Sequence, residues 1–309
     1  MSSLSLPFSK WNSSTYVTYK LFFCYQFKNV MYSQLFKMHN LTIQEFKREY
    51  PHDIPPTPPR VEDLLNLLPV NKNIQKAHSW NPNDKSPFMS IKKNDFNTVY
   101  RQPITSSTDC IRTKQGYTNG IHAWEFKWAT QKRGTHAIVG VAEINARIRS
   151  YGYASVVGSS EDSWGWDISK NKLYHSHLIN NSAESYPIKN ENRFKHITIP
   201  ETFKMILDMN LGTLAFIVDN EYLGVAFKNI HGKRLFPIVN VVFGRAEVTC
   251  QYLGGIPPSL LFSCRKIIRN QIEVQEPYNS FTVGEKHPFK SLPFILTLYV
   301  CSPTIGVST

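Results

Sequence analysis

The sequence predicts an all-β protein: a sandwich of short strands, with a short helix before it and another after it. Three observations lead there. From about residue 80 to residue 253 the chain is a succession of short strand-like runs. Turn residues recur between those runs at regular intervals. No βαβ alternation and no internal repeat is present.

Taken in order, the elements justify that outline. Residues 1–57 read as a poorly defined N-terminal arm, rich in Ser, Asn, Tyr and Phe and without clear periodicity over its first 50 or so positions. Pro55-Pro56-Thr57-Pro58-Pro59 then marks a boundary, because consecutive prolines hold the backbone extended. Val61, Leu64, Leu65 and Leu68 recur at helical spacing, and Pro69 is expected to end that helix. Within the strand region, Trp124-Glu125-Phe126-Lys127-Trp128 alternates apolar and polar, as one half-buried strand does. Leu214, Phe216 and Val218 alternate likewise. Ala137-Ile138-Val139-Gly140-Val141 is apolar throughout and suits a strand covered on both faces. Tyr117-Thr118-Asn119-Gly120, Asn210-Leu211-Gly212 and Asp219-Asn220-Glu221 supply turns. After Pro257-Pro258, Ser259 can cap a helix on which Leu260, Cys264 and Ile268 share one face.

Composition bounds the function. Apolar residues make up 41% and aromatics 13% of the 309-residue chain, enough for a substantial core. The formal charge of +12 raises contact with nucleic acid or a membrane surface as a rival reading. Yet the basic residues are scattered with no run of five, so the expectation is a solvated basic surface, with neither nucleic acid nor membrane as a partner. Cys24, Cys110, Cys250, Cys264 and Cys301 are odd in number, widely spaced and form no C-x-x-C. That argues against a disulfide framework and a structural zinc site, and fits a reducing, intracellular compartment, with a cytoplasmic and also a nuclear location expected. No apolar stretch reaches the length of a membrane span, and no signal peptide is expected.

Enzyme motifs are missing. Gly232-Lys233-Arg234 is similar to the end of a phosphate loop but lacks the upstream Gly and the Ser or Thr. There is no G-x-G-x-x-G after a strand, no H-E-x-x-H and no G-x-S-x-G. His175 and His177 have strand spacing for two metal ligands, but no carboxylate or cysteine beside them completes a set, so a surface-loop pair is expected. No cofactor and no catalysis are predicted. Ser163-Trp164-Gly165-Trp166-Asp167 is read as a packed corner of the sandwich rather than a binding platform.

These residues also carry a family resemblance. Trp164-Gly165-Trp166-Asp167, Leu173-Tyr174-His175, residues 207–219, Tyr222-Leu223-Gly224-Val225-Ala226-Phe227 and Leu235-Phe236-Pro237 resemble the core of a SPRY domain. With Pro58-Pro59-Arg60, Ser107-Thr108-Asp109 and Arg133-Gly134-Thr135-His136-Ala137, the match resembles the SPRY domain-containing SOCS box proteins, the GUSTAVUS group, from about residue 58 to about residue 269. It implies a bent antiparallel β-sandwich of the SPRY/B30.2 type over residues 58–254. It also implies a SOCS-box-like region over residues 255–309, divergent after about residue 273.

The resemblance implies a pocket built from three loops, which takes a target peptide of the type Asp/Glu-Ile/Leu-Asn-Asn-Asn. Arg101, Pro103 and Thr105 match the first loop, with Thr105 where the family often has Ala. Tyr153 and Val156 match the second, with Val156 in place of Leu. Val242, Phe243 and Gly244 match the third, with Phe243 where Trp is usual. A cationic Arg101 is expected to face the acidic position of the peptide. Leu260, Cys264 and Ile268 are similar to the elongin C-binding half of a SOCS box, which implies elongin C and elongin B as partners. The family's Leu-Pro-Leu-Pro stretch, which contacts cullin-5, is matched only loosely by Ser291-Leu292-Pro293-Phe294-Ile295, which argues against cullin-5 recruitment. The implied function is a non-catalytic substrate-recognition adaptor of an elongin–cullin ubiquitin ligase. The alternatives are a SPRY module uncoupled from a ligase and a basic nucleic-acid-binding protein.

Overall fold

The computed structural model describes residues 40–67, 69–104, 106–180, 183–187, 196–260 and 264. Two antiparallel sheets form the sandwich. The seven-stranded first sheet runs, edge to edge, Glu221–Phe227, Thr213–Val218, Thr202–Asp208, Ile121–Trp128, Glu247–Ile256, Asp95–Arg101 and Met89–Lys92. The eight-stranded second sheet runs Glu184–Ser185, Lys172–Tyr174, Ser163–Asp167, Ile138–Ala142, Phe236–Val241, Ser107–Thr113 and Trp80–Lys85, with Arg149–Tyr151 also paired to Ser107–Thr113.

Strand alternation fills the space between the sheets. Trp124, Phe126 and Trp128 are wholly buried, whereas Glu125 and Lys127 between them face outward. They share one core with Val139, Val141, Trp166, Val239 and Val241 of the other sheet. Burial of each such side chain stabilises the fold by roughly 1.5–3 kcal/mol. The second sheet is covered on its outer face as well. Ile138 and Ala142 join Val156, Val157 and Tyr174 there, which is why the run Ala137–Val141, four of whose residues lie in the strand Ile138–Ala142, reads as apolar throughout.

The expected packed corner at Trp164 is instead an internal strand, Ser163–Asp167, paired on both sides. Gly165 lies opposite Gly140 in the ladder. A Cβ on Gly140 would sit 1.9 Å from the Trp164 carbonyl oxygen, so only glycine permits this approach. At the Thr213–Val218 to Glu221–Phe227 hairpin, Asp219 and Asn220 adopt φ of 49° and 63°, the primed turn that suits the strand twist.

Two helical readings are corrected. The helix expected to run to Pro69 spans Pro59–Leu65 and is capped at Asn66. Pro59 at its first turn is compatible with the start, and Val61 and Leu64 are buried against the outer face of the first sheet. Leu68 lies outside the described residues. The N-terminal arm is not featureless either: its last part folds as a strand, Asn40–Leu41, and a helix, Ile43–Glu49. Thr42 and Glu45 form a capping box at the start of that helix. Ile43 and Phe46 are wholly buried in the main core, and Ile54 joins them. The boundary expected at residue 57 therefore falls inside the fold.

Candidate functional site

Two chain segments cross between the sheets at one end of the sandwich. Residues 102–106 link Asp95–Arg101 to Ser107–Thr113, and residues 242–246 link Phe236–Val241 to Glu247–Ile256. They run side by side. Arg101 N–H donates to the Ala246 carbonyl, and Arg245 N–H donates to the Arg101 carbonyl, each at 2.9 Å. Gly244 lies so close that a Cβ there would stand 3.0 Å from Pro103 Cα. The third segment, residues 152–156, follows the strand Arg149–Tyr151, which pairs with the start of Ser107–Thr113.

Hydrogen bonds fix this third loop in place. Gly152 N–H donates to the Ser106 carbonyl at 2.8 Å. Thr108 Oγ1 donates to the Gly152 carbonyl at 2.8 Å and accepts from Ala154 N–H at 2.9 Å. Asn240 Oδ1 accepts from Val156 N–H at 2.9 Å, while its Nδ2 donates to the His136 carbonyl at 2.8 Å. One buried amide thus joins the loop to the turn before Ile138–Ala142. Arg133 steadies that turn, giving its guanidinium to the carbonyls of Trp128, Ile199 and Pro200.

The three expected loops are therefore brought together, but their residues divide into two groups. Tyr153, Phe243 and Pro103 are exposed, with Tyr153 at 53% and Phe243 at 38%. Val156 and Val242 are buried. Gly244 is half-buried, and Thr105 lies outside the described residues. Ile104, exposed beside Pro103, adds apolar surface that the sequence reading did not single out. Lys132 also escaped it: its Nζ lies 5.5 Å from the centroid of the Phe243 ring, a cation–π contact that puts a positive charge on the rim.

Arg101 is a correction. Its guanidinium was expected to face an acidic residue of a ligand, but the side chain is wholly buried. Nε donates to Asp109 Oδ2 at 2.9 Å, and Nη2 donates to the Ser107 carbonyl at 2.8 Å and to Ser107 Oγ at 2.9 Å. The Ser86 and Ser107 hydroxyls complete the set around Asp109. Such a charge is tolerated in the interior because carboxylate, hydroxyls and carbonyl satisfy it. Arg101 fixes the crossing segment from inside and offers no free cation outside.

His175 and His177 are likewise occupied structurally. His175 stacks on Trp164, with ring centroids 4.7 Å apart, and His177 Nδ1 donates to the Gly158 carbonyl at 2.7 Å. Among the described residues no group of His, Cys, Asp or Glu could hold a metal ion. No helix among them is long and apolar enough to cross a membrane. Leu260 and Cys264 are helical and exposed, as a docking face would need, and Ile268 lies outside the described residues.

This fold, with its tied loop rim, is that of a SPRY domain, and residues 121–254 match the SPRY domain family model. The chain belongs to the SPRY domain-containing SOCS box protein family. It is 46% identical over 220 residues to protein gustavus of Drosophila melanogaster, covering 70% of this chain and 77% of that protein. It is 44% identical over 215 residues to human SPRY domain-containing SOCS box protein 1, covering 69% and 78%. The solved PSpry domain of TRIM65 superposes on 64% of this chain and 97% of its own, at 16% identity and a TM-score of 0.44.

Proposed function

We propose that the chain is a non-catalytic substrate-recognition adaptor of an elongin–cullin ubiquitin ligase. Its target-binding element is the loop rim, with Tyr153, Phe243, Pro103, Thr105 and Gly244 meeting a short Asp/Glu-Ile/Leu-Asn-Asn-Asn-like peptide. Val156 and Val242 back them. The observation that carries this reading is the exposed aromatic pair, Tyr153 and Phe243, on loops held by a buried hydrogen-bond network. Exposed aromatics on rigid supports are the residues that anchor interfaces, since little entropy is lost when they are covered. The acidic position of the peptide falls to Lys132 rather than to Arg101. Elongin C is taken by the face of Leu260, Cys264 and Ile268, a reading supported by the human relative's designation as a SOCS box protein. Ligase chemistry then resides in partner subunits.

Calorimetry with the full chain and an Asp-Ile-Asn-Asn-Asn peptide tests the first half. Tyr153→Ala is expected to cost about 1–3 kcal/mol of binding with no change in stability. Unchanged affinity would remove Tyr153 from the site. Leu260→Asp tests the second half, since a charge in an apolar groove should abolish co-purification of elongins B and C while the peptide still binds. Wild-type recovery of elongin by that variant rules out the helix as the docking element.

A further inference from the structure

A cavity of about 360 Å³ opens beside the same 152–156 loop, bounded by Ala154, Ser155 and Val156 but not by Tyr153, Pro103 or Phe243. Its walls bring together Arg147, Arg149, Lys170, His136 and His177 from four separate stretches of chain, and none of the residues lining it is Asp or Glu. Three details separate this place from an ordinary basic surface. First, Arg149 is held in position: its guanidinium carbon lies 4.7 Å from the Phe88 ring centroid and 5.4 Å from that of Tyr151. Second, Arg149 Nε is enclosed and has no hydrogen-bond partner, an unspent donor on a charged group. Third, burial, with Lys170 and His177 adding to it, pushes His136 down to about 4, the effect of a desolvated and positive surrounding. Of the cations, Lys170 already has a partner, Asp167 Oδ2 at 3.4 Å, which leaves the two arginines among the lining residues to meet an anion.

We propose that this cavity is a binding site for a phosphate monoester. Arg149 is its fixed anchor, and Arg147, at an exposed position on the wall, is its second donor. Planar guanidinium groups match phosphate oxygens two at a time. The volume lies within the range of roughly 300–1,000 Å³ usual for pockets that hold an organic ligand, so the ester group as well as the phosphate finds room. Leu178 at the edge is 72% exposed and offers that group an apolar contact. The ester could come from a phosphorylated side chain of a bound protein or from a small metabolite; the recognised chemistry is the same.

Calorimetric titration of the full chain tests this, with inorganic phosphate, phenyl phosphate, phenol and a phosphotyrosine peptide as probes. Phenyl phosphate should bind saturably and more tightly than inorganic phosphate, and phenol should not bind. Arg149→Gln should weaken phenyl phosphate by about tenfold or more, with partial recovery in Arg149→Lys. Arg147→Gln, at an exposed position, should weaken it several-fold and serves as the measure should the Arg149 variants fail to fold. A peptide that binds more tightly than phenyl phosphate assigns the ligand to a phosphoprotein, and equal binding assigns it to a small ester. No saturable binding of phenyl phosphate, or binding that survives both Arg149→Gln and Arg147→Gln, overturns the proposal. The target-peptide reading of the loop rim is untouched by either result, because its aromatic residues do not line this cavity.

Discussion

The two outer faces of the sandwich are covered by different chemistry. On the first sheet, the helix Pro59–Leu65 lays Val61 and Leu64 over Ile121, Ala123, Ile206, Ala215 and Ile217. On the second sheet, residues 143–157 supply a cover that is irregular in shape and pinned by polar side chains. Arg112 grips it through the Glu143 and Ala146 carbonyls at 2.7 and 3.0 Å, Thr108 through Gly152 and Ala154, and Asn240 through Val156. An apolar cover needs only volume and a matching face, so many sequences can supply it. A pinned cover sets atom positions, because each clamp works at one distance and one angle. Tyr153 stands on the pinned side. The comparison therefore separates what holds the fold from what positions the rim.

Three substitutions probe that separation. The largest effect is expected for Asp109→Ala, which leaves Arg101 charged and unpaired in the interior. Breaking a buried pair from one side costs about 3–5 kcal/mol. Denaturant unfolding reads the loss, and target-peptide affinity should fall with it because the 101–107 crossing loses its anchor. A loss below that of an ordinary surface change would mean that the pair contributes nothing to holding the crossing. Next comes Leu64→Ala on the apolar face, expected to cost on the order of 3 kcal/mol through burial lost and a cavity left behind. Here peptide affinity should stay at the wild-type value, and a parallel drop in affinity would show that the two faces are not separate. The smallest effect is expected for Phe243→Trp. It restores an N–H donor and contact area to the rim, so affinity should be unchanged or improve by a few-fold without any change in stability. A marked loss of affinity would show that the rim here is shaped for a different side chain.

Period and turn chemistry made much of the fold readable before any coordinates. Trp124, Phe126 and Trp128 announced the inner face, residues 137–141 a strand covered twice, and Asp219-Asn220-Glu221 a turn. The site was readable only in part. The resemblance names three loops that the structure places side by side, but it also assigns Arg101 a ligand-facing role that burial of the side chain rules out. What placed it inside was Asp109, eight residues on, together with two serine hydroxyls, a partnership no local pattern reveals. The helix Ile43–Glu49 did leave a signal. Thr42-Ile43-Gln44-Glu45 is a capping box, with Ile43 and Phe46 three apart on one face, yet it sat inside a stretch whose composition suggested no structure. The basic cavity left none, since its basic residues sit on separate segments between residues 136 and 177 that share no sequence period.

That N-terminal helix has a consequence for how copies of this protein meet one another. Gln44 Nε2 donates to the Asp219 carbonyl at 3.2 Å, Lys47 pairs with Glu221 at 2.6 Å, and Pro55 lies over Gly224. All three contacts fall on Glu221–Phe227 or the turn leading into it, the outermost strand of the first sheet. A bare outermost strand offers unpaired amides and carbonyls to any extended chain that drifts past, including the same strand of a neighbour. Residues 44–55 lie along that margin as a selvedge lies along cloth. Contacts of this kind narrow the room for another chain to continue the ladder at this one edge of the sandwich.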